Sequence, residues 1–271
     1  MEPFVGGGAL LFYLLNRDDI KIDEYIINDK NIALMETYRT IRDNPEDLIF
    51  HLNEVEMDFL ILDKKRRSEQ YRSYRDHYNL IKNNGHTSWE IASLFIFLNK
   101  TCYNGLYRVN KKGEFNVPIG SCPKNNIFNP VQIRRLSRKL QNIHIHCCDF
   151  KDLFKKYEKL GNETFVYFDP PYTVSHSNNG FIEYNENMFS YDDQIELFKL
   201  AVNLAKNDVN VMVSNAAHSA ILSLYSNGPF FIDEVSRQSI IGSRRESRGS
   251  INEYIITSYR VNNSQNKLGD M

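Results

Sequence analysis

The chain has 271 residues, 42% hydrophobic and 25% charged, with a net charge of −1. That is the balance of an ordinary soluble globule large enough to bury a substantial core, and neither a signal peptide nor an apolar run of membrane-spanning length appears, so a cytoplasmic protein is expected. Cys102, Cys122, Cys147 and Cys148 lack C-x-x-C spacing and read as reduced thiols, which argues against a disulfide framework or a zinc site. The neutral sum announces no nucleic-acid partner. Basic residues nevertheless gather at 64–75, 108–112, 134–139 and 237–248, where they either steer phosphate or form solvated helix faces.

In chain order, Glu2-Pro3-Phe4-Val5-Gly6-Gly7-Gly8 reads as a glycine turn that lets backbone approach a ligand, followed by a buried helix over 9–15. Without a full G-x-G-x-x-G after a strand the signal is weak by itself, and a nicotinamide-dehydrogenase reading finds no second domain to support it. A short strand, 25–27, ends in Asn28-Asp29. An acid there holds ribose hydroxyls or caps the helix expected at 31–41, and both readings stand.

Residues 45–84 are charged and helical in pattern, with Leu48, Leu52, Val55, Phe59 and Leu62 at helical spacing; an apolar helix follows at 91–98. These helices break the βαβ rhythm and read as an inserted subdomain. Within it, residues 108–117 form a predicted β-hairpin with its turn at Lys111-Lys112-Gly113. A hairpin fits a DNA groove, Arg108 is of the type that reads guanine, and Tyr103 beside Asn104 suits a wedge in a base stack. A plain surface hairpin with a packed tyrosine is the alternative.

A basic helix is expected at 133–140 and a strand at 143–147, where His144 and His146 alternate with isoleucines and lack metal-ligand spacing. Asp149-Phe150 after that strand suits an adenine ring, held by its amino edge and one face, or simply starts a helix. The most informative stretch is Phe165-Val166-Tyr167-Phe168-Asp169-Pro170-Pro171-Tyr172, a buried strand closed by a proline corner. Asp169 and the Pro170 carbonyl can each accept one N–H of a planar exocyclic amine, and Tyr172 can stack on its ring. An N-capping Asp in a βα turn is the plain reading. Beyond it lie a polar stretch, 175–185, with Phe181 and Tyr184 as a lid, a helix capped at 190–193 and running to 206, and a strand 209–213 ending at Ser214-Asn215. A strand at 230–235, a basic loop at 243–249, a strand at 254–259 and a frayed tail complete the chain. The expected architecture is α/β and Rossmann-like: residues 1–44 and 129–261 form the main domain, 45–128 the insertion and 262–271 the tail.

Glu2 to Gly8, Asn28-Asp29, the Asn104 to Pro118 block, Asp149-Phe150, Asp169 to Tyr172 and Ser214-Asn215 occur in the order seen in Dam-type (D12-class, alpha-order) DNA adenine-N6 methyltransferases. The chain resembles that family over nearly its whole length. The resemblance implies transfer of a methyl group from S-adenosylmethionine to N6 of a flipped adenine in duplex DNA, at GATC or a related short site, in restriction-modification or Dam-like marking. By the same resemblance Glu2, Pro3, Phe4, Gly6, Gly8, Asp29, Asp149, Phe150 and Asp169 would hold the cofactor. Asp169, Pro170, Pro171 and Tyr172 would carry catalysis. Tyr103, Asn104, Leu106, Arg108, Asn116 and Pro118 would contact DNA, and no metal is needed. Aspartate at 169 favours adenine over the cytosine and glutamine relatives, which usually carry serine or asparagine. A monomer or weak dimer is expected, with a cognate restriction endonuclease as a further partner. Two departures stand out. The sequence begins after the Lys-Trp-Ala-Gly-Gly-Lys-like motif and most of the first strand of family members, so a truncated, catalytically deficient DNA-binding remnant is the second reading. Ile119-Gly120-Ser121 stands where GATC enzymes often place another arginine.

Overall fold

Local chemistry sets the element boundaries in the computed structural model, which describes residues 1–82, 88–121, 126–157, 159–172, 189–238 and 250–261. Its helices are α1 (Ala9–Leu14), α2 (Ile32–Asp43), α3 (Pro45–Leu60), α4 (Lys64–Ile81), α5 (Ser88–Thr101), α6 (Pro130–Leu140), α7 (Phe150–Phe154), α8 (Tyr191–Lys206) and α9 (Ser219–Tyr225). The strands are β1 (Tyr25–Asn28), β2 (Ile143–His146), β3 (Phe165–Phe168), β4 (Asn210–Ala216), β5 (Phe231–Gln238) and β6 (Ser250–Thr257). The chain divides into two units, Gly6–Phe150 and Met1–Val5 with Lys151–Met271.

In the unit Gly6–Phe150, β1 and β2 pair in parallel, from Tyr25↔Ile143 to Asn28↔His146. Asn31 caps α2 by accepting from the Leu34 N–H at 3.2 Å. Arg42 and Arg39 on α2 donate to the Ile143 and Ile145 carbonyls at 3.0 and 3.3 Å, so acceptors of β2 are bonded to guanidinium groups. The charged stretch expected to be helical forms two helices, α3 and α4. Asp63 accepts from the Arg66 N–H at 2.9 Å and starts a new helix there, while Pro45 begins α3 where its missing N–H costs nothing. The helices close on an aromatic core of Phe59, Tyr71, Tyr78, Phe97 and Phe115. Phe59 and Phe97 meet edge to face at 4.9 Å, a geometry that adds about 1 kcal/mol for the pair beyond the burial of the two rings.

In the second unit a four-stranded sheet has the order β3-β4-β6-β5. β3 and β4 are parallel, and the other two pairings are antiparallel. The Met1 ammonium donates to the Phe165 carbonyl at 2.8 Å and the Met1 carbonyl accepts from Tyr167 at 3.0 Å, so residue 1 runs beside β3. Ser190 and Asp193 form the expected reciprocal capping box at the start of α8.

Several expectations change. Of α1 only Leu11 is buried, and Tyr13 is 55% exposed, so the helix is not the buried one that its apolar run suggested. β3 is fully buried only at Val166 and Phe168, with Phe165 and Tyr167 half-buried. β4 continues through Ser214 and Asn215 to Ala216, and β6 begins at Ser250, four residues before the expected strand. α7 and α9 are too short to carry a helical period in sequence, and α9 is capped by His218, whose Nδ1 accepts from Ala220 at 3.1 Å.

Candidate active site and nucleic-acid interface

β3 carries Asp169 to its carboxyl end, where the side chain is exposed while Pro170 is buried and Pro171 and Tyr172 are half-buried. The Tyr172 hydroxyl lies 3.4 Å from Ser214 Oγ on β4. Burial raises the Tyr172 pKa; Ser214 draws it down, and the charges of Asp169 and Glu253 raise it further. Tyr167 is pushed up to about 12, again first by burial and then by Asp169. Both phenols therefore stay neutral around physiological pH. Glu2, only 7% exposed, is raised to about 7 by burial; the Met1 ammonium opposes this and Asp169 adds to it. Pro3 is buried beside it. Phe4 packs its ring 5.6 Å from Phe189, edge to face, and 6.4 Å from Phe168. Asn215 is fully buried and donates to Gln194 of α8 at 3.0 Å.

The glycine turn belongs to the other unit. Gly6 and Gly8 have φ of +48° and +71°, in the left-handed region that side chains disfavour. A Cβ on Gly8 would sit 2.5 Å from Tyr38 Oη and 2.9 Å from the Phe12 ring, whereas one on Gly7 would meet open space. The Tyr38 hydroxyl donates to the Gly6 carbonyl at 3.1 Å. Asp29 accepts from the Gly6 N–H at 3.1 Å and from the Asn31 N–H at 2.9 Å. Burial raises the Asp29 pKa, and these N–H groups with that of Lys30 pull it back. Asn31, not Asp29, is the cap of α2, so the capping role weighed for Asp29 falls two residues further on. Asn28 clamps the two strand ends by exchanging two 3.0 Å hydrogen bonds with the Cys148 backbone. Asp149 pairs with Lys30 at 3.6 Å, and Phe150 is buried as the first residue of α7.

In the same unit the hairpin is compact. Val109 bridges Phe115, and Gly113 turns at φ +77° with its N–H on the Asn110 carbonyl at 2.8 Å. Tyr103, Asn104, Leu106, Arg108 and Pro118 are exposed and Asn116 is half-buried. The Tyr103 N–H donates to the Pro118 carbonyl at 2.9 Å, which brings the wedge candidate against the far strand. Asn104 holds a left-handed φ of +55°, which asparagine tolerates. Gly120 passes so close to Cys102 that a Cβ would fall 2.5 Å from its carbonyl oxygen. Asn116, expected to face DNA, accepts from Arg108 Nε at 2.8 Å.

Residues 1–241 match the family described as D12 class N6 adenine-specific DNA methyltransferase. The chain belongs to this family. It is 40% identical over 260 residues to the type II methyltransferase M.MjaIII of Methanocaldococcus jannaschii, an alignment covering 96% of this chain and 88% of that one. It is 34% identical to the type II methyltransferase M1.LlaDCHI of Lactococcus lactis subsp. cremoris, over 95% of this chain and 85% of the relative. The DNA adenine methylase of Escherichia coli K12 is 28% identical, over 94% and 84%.

For this adenine-specific DNA methyltransferase, sequence reasoning missed Glu253 and Gln194. Glu253 is 7% exposed on β6, opposite Ala216, and its charge acts on both Tyr167 and Tyr172. A lone acid inside an apolar strand would have flagged it, had that strand been started early enough. The lid residues Phe181 and Tyr184, the basic loop 243–249, Cys122 and the tail lie outside the described residues. Among the described residues Cys102, Cys147 and Cys148 are in no disulfide. Among the described residues no helix is long and apolar enough to cross a membrane, and no group of three His, Cys, Asp or Glu could hold a metal ion.

Proposed function

We propose that this methyltransferase moves a methyl group from S-adenosylmethionine to N6 of an adenine swung out of duplex DNA, at GATC or a related short sequence. The observation that carries the reading is the corner after β3, with an exposed carboxylate at Asp169, a rigid proline pair and a neutral, half-buried Tyr172. Asp169 and the Pro170 carbonyl accept the two N6 hydrogens, which turns the nitrogen lone pair out of the ring plane. Tyr172 stacks on the extruded ring, replacing part of the lost base stacking.

The glycine turn fits an adenosyl cofactor. The Asp29 carboxylate accepts the backbone N–H groups of Gly6, Asn31 and Lys30 and so keeps about one of its four lone-pair sites for a ribose hydroxyl, and the turn has no Cβ where Gly8 meets Tyr38. Glu2, Pro3, Phe4, Gly6, Gly8, Asp29, Asp149 and Phe150 are the residues we assign to it, with Asp169 shared. S-adenosylmethionine supplies a methyl group on a positively charged sulfur. Aligning the acceptor nitrogen is then the chief demand on the protein.

On this reading the parallel pairs β1–β2 and β3–β4 belong to a Rossmann-like methyltransferase fold, and 45–128 is an inserted recognition subdomain that reads DNA with Tyr103, Asn104, Leu106, Arg108, Asn116 and Pro118. The type II names of two relatives favour a modification role beside a cognate endonuclease. The test is incubation with labelled S-adenosylmethionine and unmethylated duplex DNA, followed by digestion to nucleosides. N6-methyldeoxyadenosine is the expected product, absent with Asp169→Ala while that variant keeps its DNA affinity. Label on cytosine, or full transfer by Asp169→Ala, refutes the assignment.

A further inference from the structure

The hairpin that presents Arg108 is gripped by one helix in a regular way. Three side chains of α4 and its C-terminal cap bond to the backbone of alternate hairpin residues. Tyr71 Oη donates to the Val117 carbonyl at 2.9 Å. Asn79 donates to the Phe115 carbonyl at 3.0 Å and accepts from the Phe115 N–H at 2.7 Å. Lys82 Nζ, half-buried over the Tyr78 ring, donates to the Gly113 carbonyl. Strand periodicity makes this alternation informative: 113, 115 and 117 turn their backbone groups to the helix, and 114, 116 and 118 fall in the opposite phase. Phe115 and Val117 are buried, Asn116 is half-buried and Pro118 is exposed.

Asn79 is the only one of the three that both gives and receives, so its amide pairs with Phe115 as a neighbouring strand would. A slip of the hairpin by one residue breaks both bonds and turns Asn116 inward. Arg108 feels this directly, because its Nε donates to Asn116 Oδ1 at 2.8 Å and the Asn116 N–H donates back to the Arg108 carbonyl at 3.2 Å. The guanidinium keeps further N–H donors for a base edge, and their direction is set by where Asn116 stands.

We infer that Asn79, supported by Tyr71 and Lys82, is a positioning residue for sequence recognition: it fixes the hairpin register, and through Asn116 the aim of the Arg108 guanidinium. This rests on the reading of the hairpin as the DNA-reading element. A register lock of this kind acts on discrimination between sequences more than on methyl transfer itself, because the corner at Asp169 belongs to a different unit of the chain.

The test uses the full chain on unmethylated genomic DNA, with methylated adenines mapped by sequencing to give the flanking consensus. Asn79→Asp keeps the acceptor for the Phe115 N–H but sets a carboxylate oxygen against its carbonyl. Its expected consequence is a consensus relaxed at the same base position that Arg108→Ala relaxes, with discrimination there reduced about five- to ten-fold. Tyr71→Phe, which removes one donor and no volume, should relax that position by a smaller factor and carries the test if the Asn79 variant melts below the assay temperature. An unchanged consensus in the variants that fold overturns the inference. So does an equal loss of rate on every sequence, which a purely structural contact would give. If wild-type protein leaves no methyl mark on DNA, the functional reading itself fails instead, and the two failures are told apart.

Discussion

Replacing each glycine of the turn by alanine gives a graded test of the cofactor assignment. At Gly7 an added methyl meets nothing within 4 Å and φ is not positive, so Gly7→Ala is expected to match wild type or gain a few tenths of a kcal/mol from a stiffer unfolded chain. At Gly6 the space is also open, but φ is +48°, and holding a non-glycine residue there costs about 1–2 kcal/mol. Gly8→Ala carries the same backbone cost at φ +71° and drives a Cβ to 2.5 Å from Tyr38 Oη. The phenol must move, and its hydrogen bond to the Gly6 carbonyl is lost, worth about 1 kcal/mol more. The total at Gly8 is roughly 2–3 kcal/mol.

Where that cost appears depends on whether the turn holds. If it keeps its shape, the folded state carries the strain and the melting temperature falls by about 5–10 °C. If it relaxes, cofactor affinity weakens by roughly 30- to 150-fold for the same free energy. Thermal unfolding and calorimetric titration with S-adenosylmethionine, run on all three variants, capture both. The order Gly7, Gly6, Gly8 in combined loss is the expected result. A Gly8→Ala protein with unchanged melting and unchanged cofactor binding would refute the reasoning.

Three further outcomes follow from the same geometry. Glu2 titrates near 7 in the folded protein against a reference of 4.5, so its neutral form favours folding below 4.5 and that contribution is lost as pH rises through 7. Glu2→Gln should therefore gain up to roughly 3 kcal/mol on wild type between pH 5 and pH 8, read from denaturant midpoints; a gap that ignores pH would contradict the burial argument. Arg108→Ala is expected to cost about 1–3 kcal/mol of discrimination at a single base position, and uniform weakening across all sequences would make Arg108 a phosphate contact. Among the described residues the buried Tyr225 hydroxyl has no hydrogen-bond partner, so Tyr225→Phe should raise the melting temperature, by the few degrees that a desolvation cost of about 1 kcal/mol represents. A fall in melting temperature would mean that the hydroxyl is satisfied, for instance by water.

Much of the site was legible because it is local. The proline pair after an apolar run places Asp169 at a strand end whatever the rest of the chain does, and the glycines mark the turn through their own φ values. The hairpin likewise followed from Lys111-Lys112-Gly113 between two short runs. Contacts between residues distant in sequence were not legible. Asn79 is an unremarkable polar residue on a charged helix until Phe115, 36 positions later, is folded against it. Gln194 escaped for the same reason, since α8 meets Asn215 only in the folded chain, whereas Glu253 was missed because the expected strand began after it. Asn116 shows the limit from the other side. The family resemblance implied a DNA contact there, and the folded hairpin adds that its side-chain oxygen accepts from Arg108.

The register of the sheet explains why the corner lies where it does. β3 pairs with β4 only as far as Phe168↔Val213, yet β4 runs on through Ser214 and Asn215 to Ala216, held by β6 on its other side. Continuing β3 would need N–H donors at 170 and 171, and two prolines supply none. The sheet is thus notched beside Ser214, and the backbone there is satisfied in another way: the Asn215 side chain accepts the Ala216 N–H at 2.9 Å. Tyr172 folds its hydroxyl back to Ser214 at that notch, and in the proposed reading it is the Pro170 carbonyl that accepts from the base. Because that acceptor is main chain, no side-chain substitution removes it. On the proposed reading the choice of the base to be methylated then falls to Asp169 and Tyr172, which makes exchanging the acid, not the prolines, the sharper probe of the chemistry.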